Sequence, residues 1–447
     1  MIIRNGAVAL PGSPRLTRAD LRVAGGKIAA IGLHLPPDGE PELDAGGLEV
    51  FPGAIDPHVH FFDPGFPHKE DFYHGTAASA SGGVTTVIDM PCTSDPQVIN
   101  LENLKHKRSL VEPKAVIDFA FFGGVSSQVF ERGFPDCMHE LAPYVPAFKT
   151  YATSGSALFE RLNHYQFSRV LEVARELNRP ILLHAEDAGF VLPAGEALRM
   201  TGDSPTLFYR SRPELAEVLA VFAVSEIAET LQAPLHIVHI GAARAAEIVA
   251  GRSTTSGETC PQYLAFDLDD FERIGAPLKI TPPVKQPDQK ERLWQYLADG
   301  VIGFVASDHA PGTHEEKNTG SIWTDYAGIP GGPTLFPYLY SAGLRSGRLS
   351  LPRFLEVTSE AAARRYRLDD RKGRIAVGLD ADLTLVNPHA TVTVRGAESL
   401  SRGKITPFEG MELTGRVQTT LVRGIVVYRD GEITCEPGTG AFLSPAE

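Results

Sequence analysis

The sequence predicts an α/β protein: a (β/α)8 barrel over residues 53–373 with a small β-domain built from residues 1–52 and 374–447. Three observations carry this. Both ends of the chain read as short strands and turns. The middle alternates wholly apolar runs of strand length with amphipathic helical stretches. No glycine-rich phosphate loop of the GxGxxG or GxxxxGK type follows any run, which disfavours the rival doubly wound nucleotide-binding sheet.

The elements follow in order. AVAL, LRVAG and KIAAIG are apolar pieces divided by Pro11, Gly12, Gly25 and Gly26, as expected for short strands. In the middle, VTTVIDM, AVIDFAFFG, YVPAFKTY, PILLHAE, LHIVHIG and VIGFVASD lack alternation, the pattern of parallel strands covered on both faces. Helical patterns separate them. FSRVLEVARELNR groups Val170, Leu171, Ala174 and Leu177 on one face. PELAEVLAVFAVSEIAETL groups Leu215, Val218, Leu219, Phe222 and Ile227, the face expected to be buried. DQKERLWQYLADG groups Leu293, Tyr296 and Leu297 and stops at Gly300. Beyond residue 374, ADLTLVN, TVTV, VQTTLVRG and IVVYRDGEI are β-branched, and Asp430-Gly431 is a hairpin turn.

The 447 residues are 43% hydrophobic and 22% charged, enough apolar material for a large core. A net charge of -13 argues against nucleic acid and anionic membranes as partners. The first residues are interrupted by Arg4, Asn5, Gly6 and Pro11, so they lack the apolar region of a signal peptide. No run of about 18 apolar residues suggests a membrane span. Cys92, Cys137, Cys260 and Cys435 show no CxxC spacing, which fits free thiols in a cytoplasmic protein.

Polar residues end the apolar runs. Asp56, His58 and His60 follow LEVFPGAI, Lys149 closes YVPAFK, His184 closes PILLH, His239 closes PLHIVH and Asp308 closes VIGFVASD. Those strand ends form the active-site face of an α/β barrel, so one shared site is expected. His58 and His60, two apart on a strand, point to the same side. Imidazole and carboxylate suit zinc and similar metals, and three protein ligands complete a catalytic metal. Four histidines, Asp308 and Lys149 exceed that, so two metals are the economical reading. An ammonium cannot ligate metal, but a lysine carboxylated by CO2 presents a bridging carboxylate; taken alone, Lys149 reads as a salt-bridging lysine. His236, three residues before His239, points to the other side of its strand and is left outside the site. His309 reads equally as a partner behind the ligands or as a loop histidine.

In this order, DPHVH, AFKTY, LLHAE, HIVHIG, ETCPQYL and ASDHAPGTHEEK resemble the cyclic amidohydrolases: dihydroorotase, allantoinase and hydantoinase (dihydropyrimidinase). The resemblance spans essentially the whole chain and includes GGVTTVIDMP, ITPPVK and GRIAVGLDADLTLV. It implies a metal-bearing barrel with a β-sandwich made by both termini. It implies two divalent ions, zinc by ligand type, held by His58, His60 and Asp308 at one position and by His184 and His239 at the other, with N-carboxylated Lys149 bridging. It further implies hydrolysis of a cyclic amide C–N bond, with Asp308 as general base and then acid. A small-molecule substrate and a homo-oligomer, dimer or tetramer, are the partners expected. The complete ligand set argues against a non-catalytic scaffold relative. The lysine argues against one-metal deaminases, and PGAIDPHVHFFDPG with the C-terminal β motifs argues against phosphotriesterases.

Five further positions bear on the substrate. Dihydroorotases resembling this chain hold the substrate carboxylate with an arginine, an asparagine and a histidine; those positions are Phe62, Cys92 and Gly312 here. Burying a carboxylate without partners costs several kcal/mol. A neutral ring is therefore expected, such as allantoin, a 5-substituted hydantoin or a dihydropyrimidine, rather than dihydroorotate. Tyr151 matches a hydantoinase tyrosine near the developing oxyanion. Thr281 stands where hydantoinases carry a serine that presents polar groups to the ring amide. Phe61 alternates away from Phe62, so one of the pair lines the pocket and the other is core.

Overall fold

Five short strands open the chain: β1 (Ile2–Val8), β2 (Thr17–Ala24), β3 (Lys27–Gly32), β4 (Glu42–Asp44) and β5 (Glu49–Pro52). The structure is a computed structural model and describes residues 1–446. Nine strands follow in the middle: β6 (Ala54–Val59), β7 (Val84–Asp89), β8 (Asp118–Phe121), β9 (Gly123–Gly124), β10 (Phe148–Tyr151), β11 (Ile181–His184), β12 (Leu235–Ile237), β13 (Thr255–Thr259) and β14 (Phe304–Val305). Four close the chain: β15 (Leu383–Thr393), β16 (Glu412–Val422), β17 (Ile425–Arg429) and β18 (Glu432–Ile433).

The terminal strands form one continuous mixed sheet in the order β18-β17-β16-β15-β5-β1-β2-β3, with β4 paired to β1. The seam between the two ends of the chain is antiparallel, Leu383 opposite Pro52 and Val386 opposite Glu49. Ile3, Val8, Leu21, Val50, Leu383, Leu385 and Leu421 pack its core. Residues 383–387 of ADLTLVN and 391–393 of TVTV belong to the single strand β15. Pro388 lies where the pairing of β15 with β16 breaks, between Asn387 and Thr391, because proline has no N–H for the ladder. Asp430 and Gly431 turn β17 into β18 with φ of 51° and 107°, the signature of a primed hairpin turn.

In the middle, β6-β7-β8 and β14-β13-β12-β11-β10-β9 are parallel sheets. β8 and β9 are one run interrupted at Phe122, whose N–H donates to Asp89 O at 3.0 Å. The ring closes beyond β14, where the His60 N–H donates to His309 O at 2.7 Å and the His309 N–H to His58 O at 3.2 Å. Eight parallel strands thus form a closed barrel. Every residue of β6, β7, β8 and β11 is buried, which is why those runs carry no alternation.

The helices clothe the barrel. His164–Leu177 starts in a capping box between Asn163 and Gln166 and stops at left-handed Asn178, burying Val170, Leu171 and Ala174. Pro287–Ala298 buries Leu293 and Leu297 as its pattern predicts. Glu214–Leu231 corrects the expectation: Leu215, Leu219 and Phe222 are 51%, 42% and 53% exposed, and the buried face is Ala216, Glu217, Ala220, Val221, Val224, Ser225 and Ala228. The helix is apolar on both sides, so periodicity alone could not choose. The choice falls to small residues, which permit close approach, and to Glu217, whose carboxylate accepts from the Gly241 and Ala242 N–H groups at 2.9 and 3.0 Å.

Phe61 is the core member of the phenylalanine pair. Its ring meets Phe72 edge-on at 5.1 Å and His309 at 5.5 Å, and a Cβ added at Gly75 would land on it. Gly75→Ala inside helix Phe72–Ser81 would ordinarily gain about 1 kcal/mol of helix propensity. Here the clash, about 1–3 kcal/mol of overpacking, outweighs it. A lower thermal unfolding midpoint is expected; an unchanged or higher one would show that Phe61 is free to move aside.

Candidate metal centre

β6 carries His58 directly and His60 just past its end; both Nε2 atoms face Asp308 Oδ1, at 3.2 and 3.3 Å. The ligand atoms of His58, His60 and Asp308 lie within 4.8 Å of one another. His184, the last residue of β11, places Nδ1 2.9 Å from Nε2 of His239. The His58 and His239 rings, 5.5 Å apart at their centroids, join the two groups. His239 and Asp308 have left-handed backbones, φ 44° and 51°. For residues other than glycine that conformation costs on the order of 1–3 kcal/mol, and such strain gathers at functional sites.

Lys149, inside β10, is buried, and its amine makes no hydrogen bond among the described residues; Nζ lies 5.1 Å from the Tyr151 ring centroid. Burial pushes its amine below the usual lysine range, against the opposing pull of Cys92 and Asp308. Its charge in turn helps burial to depress His58, His184 and His239, so it acts on both groups. Burial opposes the charge of Asp308, but His58, His60 and His239 outweigh it and hold the carboxyl well below its usual value.

Three buried glutamates stand behind the histidines. Glu258 on β13 lies 2.6 Å from His58 Nδ1 and 3.2 Å from His236 Nε2. Glu186 lies 2.9 Å from His184 Nε2 and pairs with Arg212. Glu70 lies 3.0 Å from His309 Nε2 and also holds Ser401 and the Arg402 N–H. A carboxylate on one ring nitrogen keeps the proton there and leaves the lone pair on the other. His58 Nε2 and His184 Nδ1 therefore turn lone pairs inward, and His58 Nε2 is buried with no hydrogen-bond partner. That donor set, with Asp308, fits a divalent cation.

Sequence reasoning missed these glutamates. Glu186 and Glu258 lie in the LLHAE and ETCPQYL motifs, but nothing in the spacing pairs them with a particular histidine. His236 is not a ligand, yet it is part of the site's support: its Nδ1 lies 2.7 Å from Ser256 Oγ, and its ring stacks on Phe304 at 5.2 Å. His309 is buried against Phe61, not a surface loop residue. Glu258→Gln is expected to weaken metal retention about 10- to 100-fold, read as metal content after dialysis against a graded chelator series. Retention equal to the parent's would reduce Glu258 to a packing role.

The expected substrate contacts fall into separate places. Cys92 Sγ is 3.1 Å from the Tyr151 hydroxyl and 3.8 Å from His60 Nδ1. The Tyr151 ring stacks on His184 at 5.1 Å. Phe62, 4% exposed, and Gly312 both adjoin Tyr326. Thr281 is half-buried on another loop, before Pro282, whose carbonyl accepts from the Tyr263 hydroxyl at 2.7 Å.

Inward-facing imidazoles at the C-terminal rim of a closed parallel barrel, two of them backed by buried glutamates, define a metal-dependent barrel hydrolase. The chain belongs to the amidohydrolase family, whose profile matches residues 50–427. It is similar to the allantoinase of Escherichia coli (strain K12), with 34% identity over 440 residues, 96% of this chain and 95% of that one. Among solved structures it is similar to the L-hydantoinase (dihydropyrimidinase) from Arthrobacter aurescens, with TM-score 0.93 and 29% identity over 99% of each chain. The D-hydantoinase (dihydropyrimidinase) from Thermus sp. gives TM-score 0.92 and 30% identity, over 99% of this chain and 98% of that one. No helix among the described residues is long and apolar enough to cross a membrane.

Proposed function

We propose that the chain hydrolyses the C–N bond of a neutral cyclic ureide or amide, of the allantoin, hydantoin or dihydropyrimidine class, as a two-metal enzyme. The observation that carries this is the pair of inward-facing donor groups, His58, His60 and Asp308 on one side and His184 and His239 on the other. Residues 53–373 form the hydrolytic unit in this reading, and residues 1–52 with 374–447 the accompanying β-domain. Lys149, its amine kept below the usual range by burial, reacts with CO2 as the free amine and contributes two carbamate oxygens to the centre. Two divalent ions bound there, zinc by ligand type, would polarise the scissile carbonyl and acidify water.

The chain's own groups do the rest. Asp308 takes a proton from the attacking water and returns it to the leaving ring nitrogen, so one carboxylate serves both halves of the cycle. Tyr151, beside His184, donates a hydrogen bond to the negative charge developing on the carbonyl oxygen. Glu258 and Glu186 hold His58 and His184 in the tautomers that face the centre. A panel of allantoin, hydantoin, 5-phenylhydantoin, dihydrouracil and dihydroorotate, offered to zinc-loaded protein, tests the reading. Turnover of at least one neutral ring is expected; rapid turnover of dihydroorotate alone would overturn it.

A further inference from the structure

Gly312 leaves a gap in the loop that follows the Asp308 segment. Tyr326 fills it: a Cβ on residue 312 would fall 2.6 Å from the tyrosine Cδ1. A Cβ on Gly328 would fall 2.8 Å from Tyr326 Cε1, so the ring is held on that side too. The Tyr326 N–H donates to Glu316 O at 2.8 Å. Phe62 stands edge-on to Tyr326, with ring centroids 6.4 Å apart. The Lys69 amine lies 3.5 Å from the Tyr326 centroid and 4.5 Å from that of Phe62, and pairs with Glu316 at 3.2 Å. The Tyr326 hydroxyl makes no hydrogen bond among the described residues. Burial raises its pKa, and the charges of Glu316, Asp308 and Cys92 raise it further. It therefore stays protonated, within the field of the candidate metal centre.

We propose that Tyr326 sets which ring substituent the site accepts, forming with Phe62 an aromatic wall for a planar, uncharged group and offering that group its hydroxyl. The inference rests on the cyclic-ureide reading above and adds the choice of substituent. For an anionic substituent, the Lys69 amine is already paired with Glu316 and covered by two ring faces. Ring faces carry the negative side of the aromatic quadrupole and disfavour a carboxylate. A cationic substituent meets Lys69 behind the wall.

The test is steady-state kinetics of Tyr326→Leu and Tyr326→Phe on allantoin and 5-phenylhydantoin against unsubstituted hydantoin and dihydrouracil, with metal content measured alongside. For Tyr326→Leu, kcat/KM on the substituted rings should fall at least about 10-fold further than on the unsubstituted ones, within the roughly 10- to 200-fold range of pocket contacts. The loss should appear in KM. Tyr326→Phe should lose the preference for allantoin, which can accept the hydroxyl's hydrogen bond, and keep that for the phenyl ring. A uniform loss over all rings, no loss, a loss in kcat alone, or a parent protein that prefers unsubstituted rings would each overturn the wall while leaving the proposed function standing. A parent that turns over no ring in the panel would sink the proposed function and the wall with it.

Discussion

Lys149→Ala is expected to purify depleted of metal and to lose on the order of 10³-fold or more in kcat/KM, since metal ions supply several kcal/mol to such reactions. Lys149 is fully enclosed, so no neighbouring side chain or bulk solvent can replace what it contributes. Asp308 cannot stand in, because its Oδ1 is already committed between His58 and His60. Without an anionic bridge, bringing two divalent cations among neutral imidazoles leaves their mutual repulsion uncompensated. Metal analysis by mass spectrometry and rates on the preferred ring provide the readout. Added short carboxylates should return part of the activity by entering the vacated space. A Lys149→Ala protein that keeps two metals and full rate would refute the bridging role.

Asp308→Asn separates binding from proton transfer. Asparagine tolerates the left-handed backbone of this position, so the φ of 51° poses no obstacle and the fold should survive. One amide oxygen remains to face His58 and His60, so metal at that position should be weakened rather than lost. Proton transfer is lost outright, and a fall of about 10²- to 10⁴-fold in kcat is expected. Metal content and kcat measured on the same preparation decide the matter. A rate that falls only in proportion to lost metal would make Asp308 a ligand and nothing more.

The barrel and its candidate ligands were legible because parallel strands buried on both faces leave long apolar runs, and any polar residue closing such a run stands out. His58, His60, Lys149, His184, His239 and Asp308 all stand out in this way. β13 did not, since STTSGETC is rich in Ser, Thr and Gly and reads as a turn; its Glu258 therefore went unplaced. The face of helix Glu214–Leu231 was illegible for the opposite reason: too many apolar residues offered two equivalent stripes. Glu70 meets His309 across 239 positions and Ser401 across 331. No local pattern encodes such meetings, which exist only once the barrel closes and the C-terminal segment comes back over it. Tyr326 was hidden likewise, because a gap at Gly312 means nothing until the ring that fills it is seen.

The seam between β5 and β15 also fixes a timetable for synthesis. Val50 is paired with Leu385, so the early strands leave the ribosome long before their partner exists. At about 5–20 residues per second, the intervening chain takes roughly 20 to 70 seconds to make. Through that interval the edge of β5 offers unpaired backbone groups of the kind that recruit other strands. Soluble yield is thereby tied to the pace of translation, and synonymous codon changes between the two strands would act on the protein without altering one residue of it.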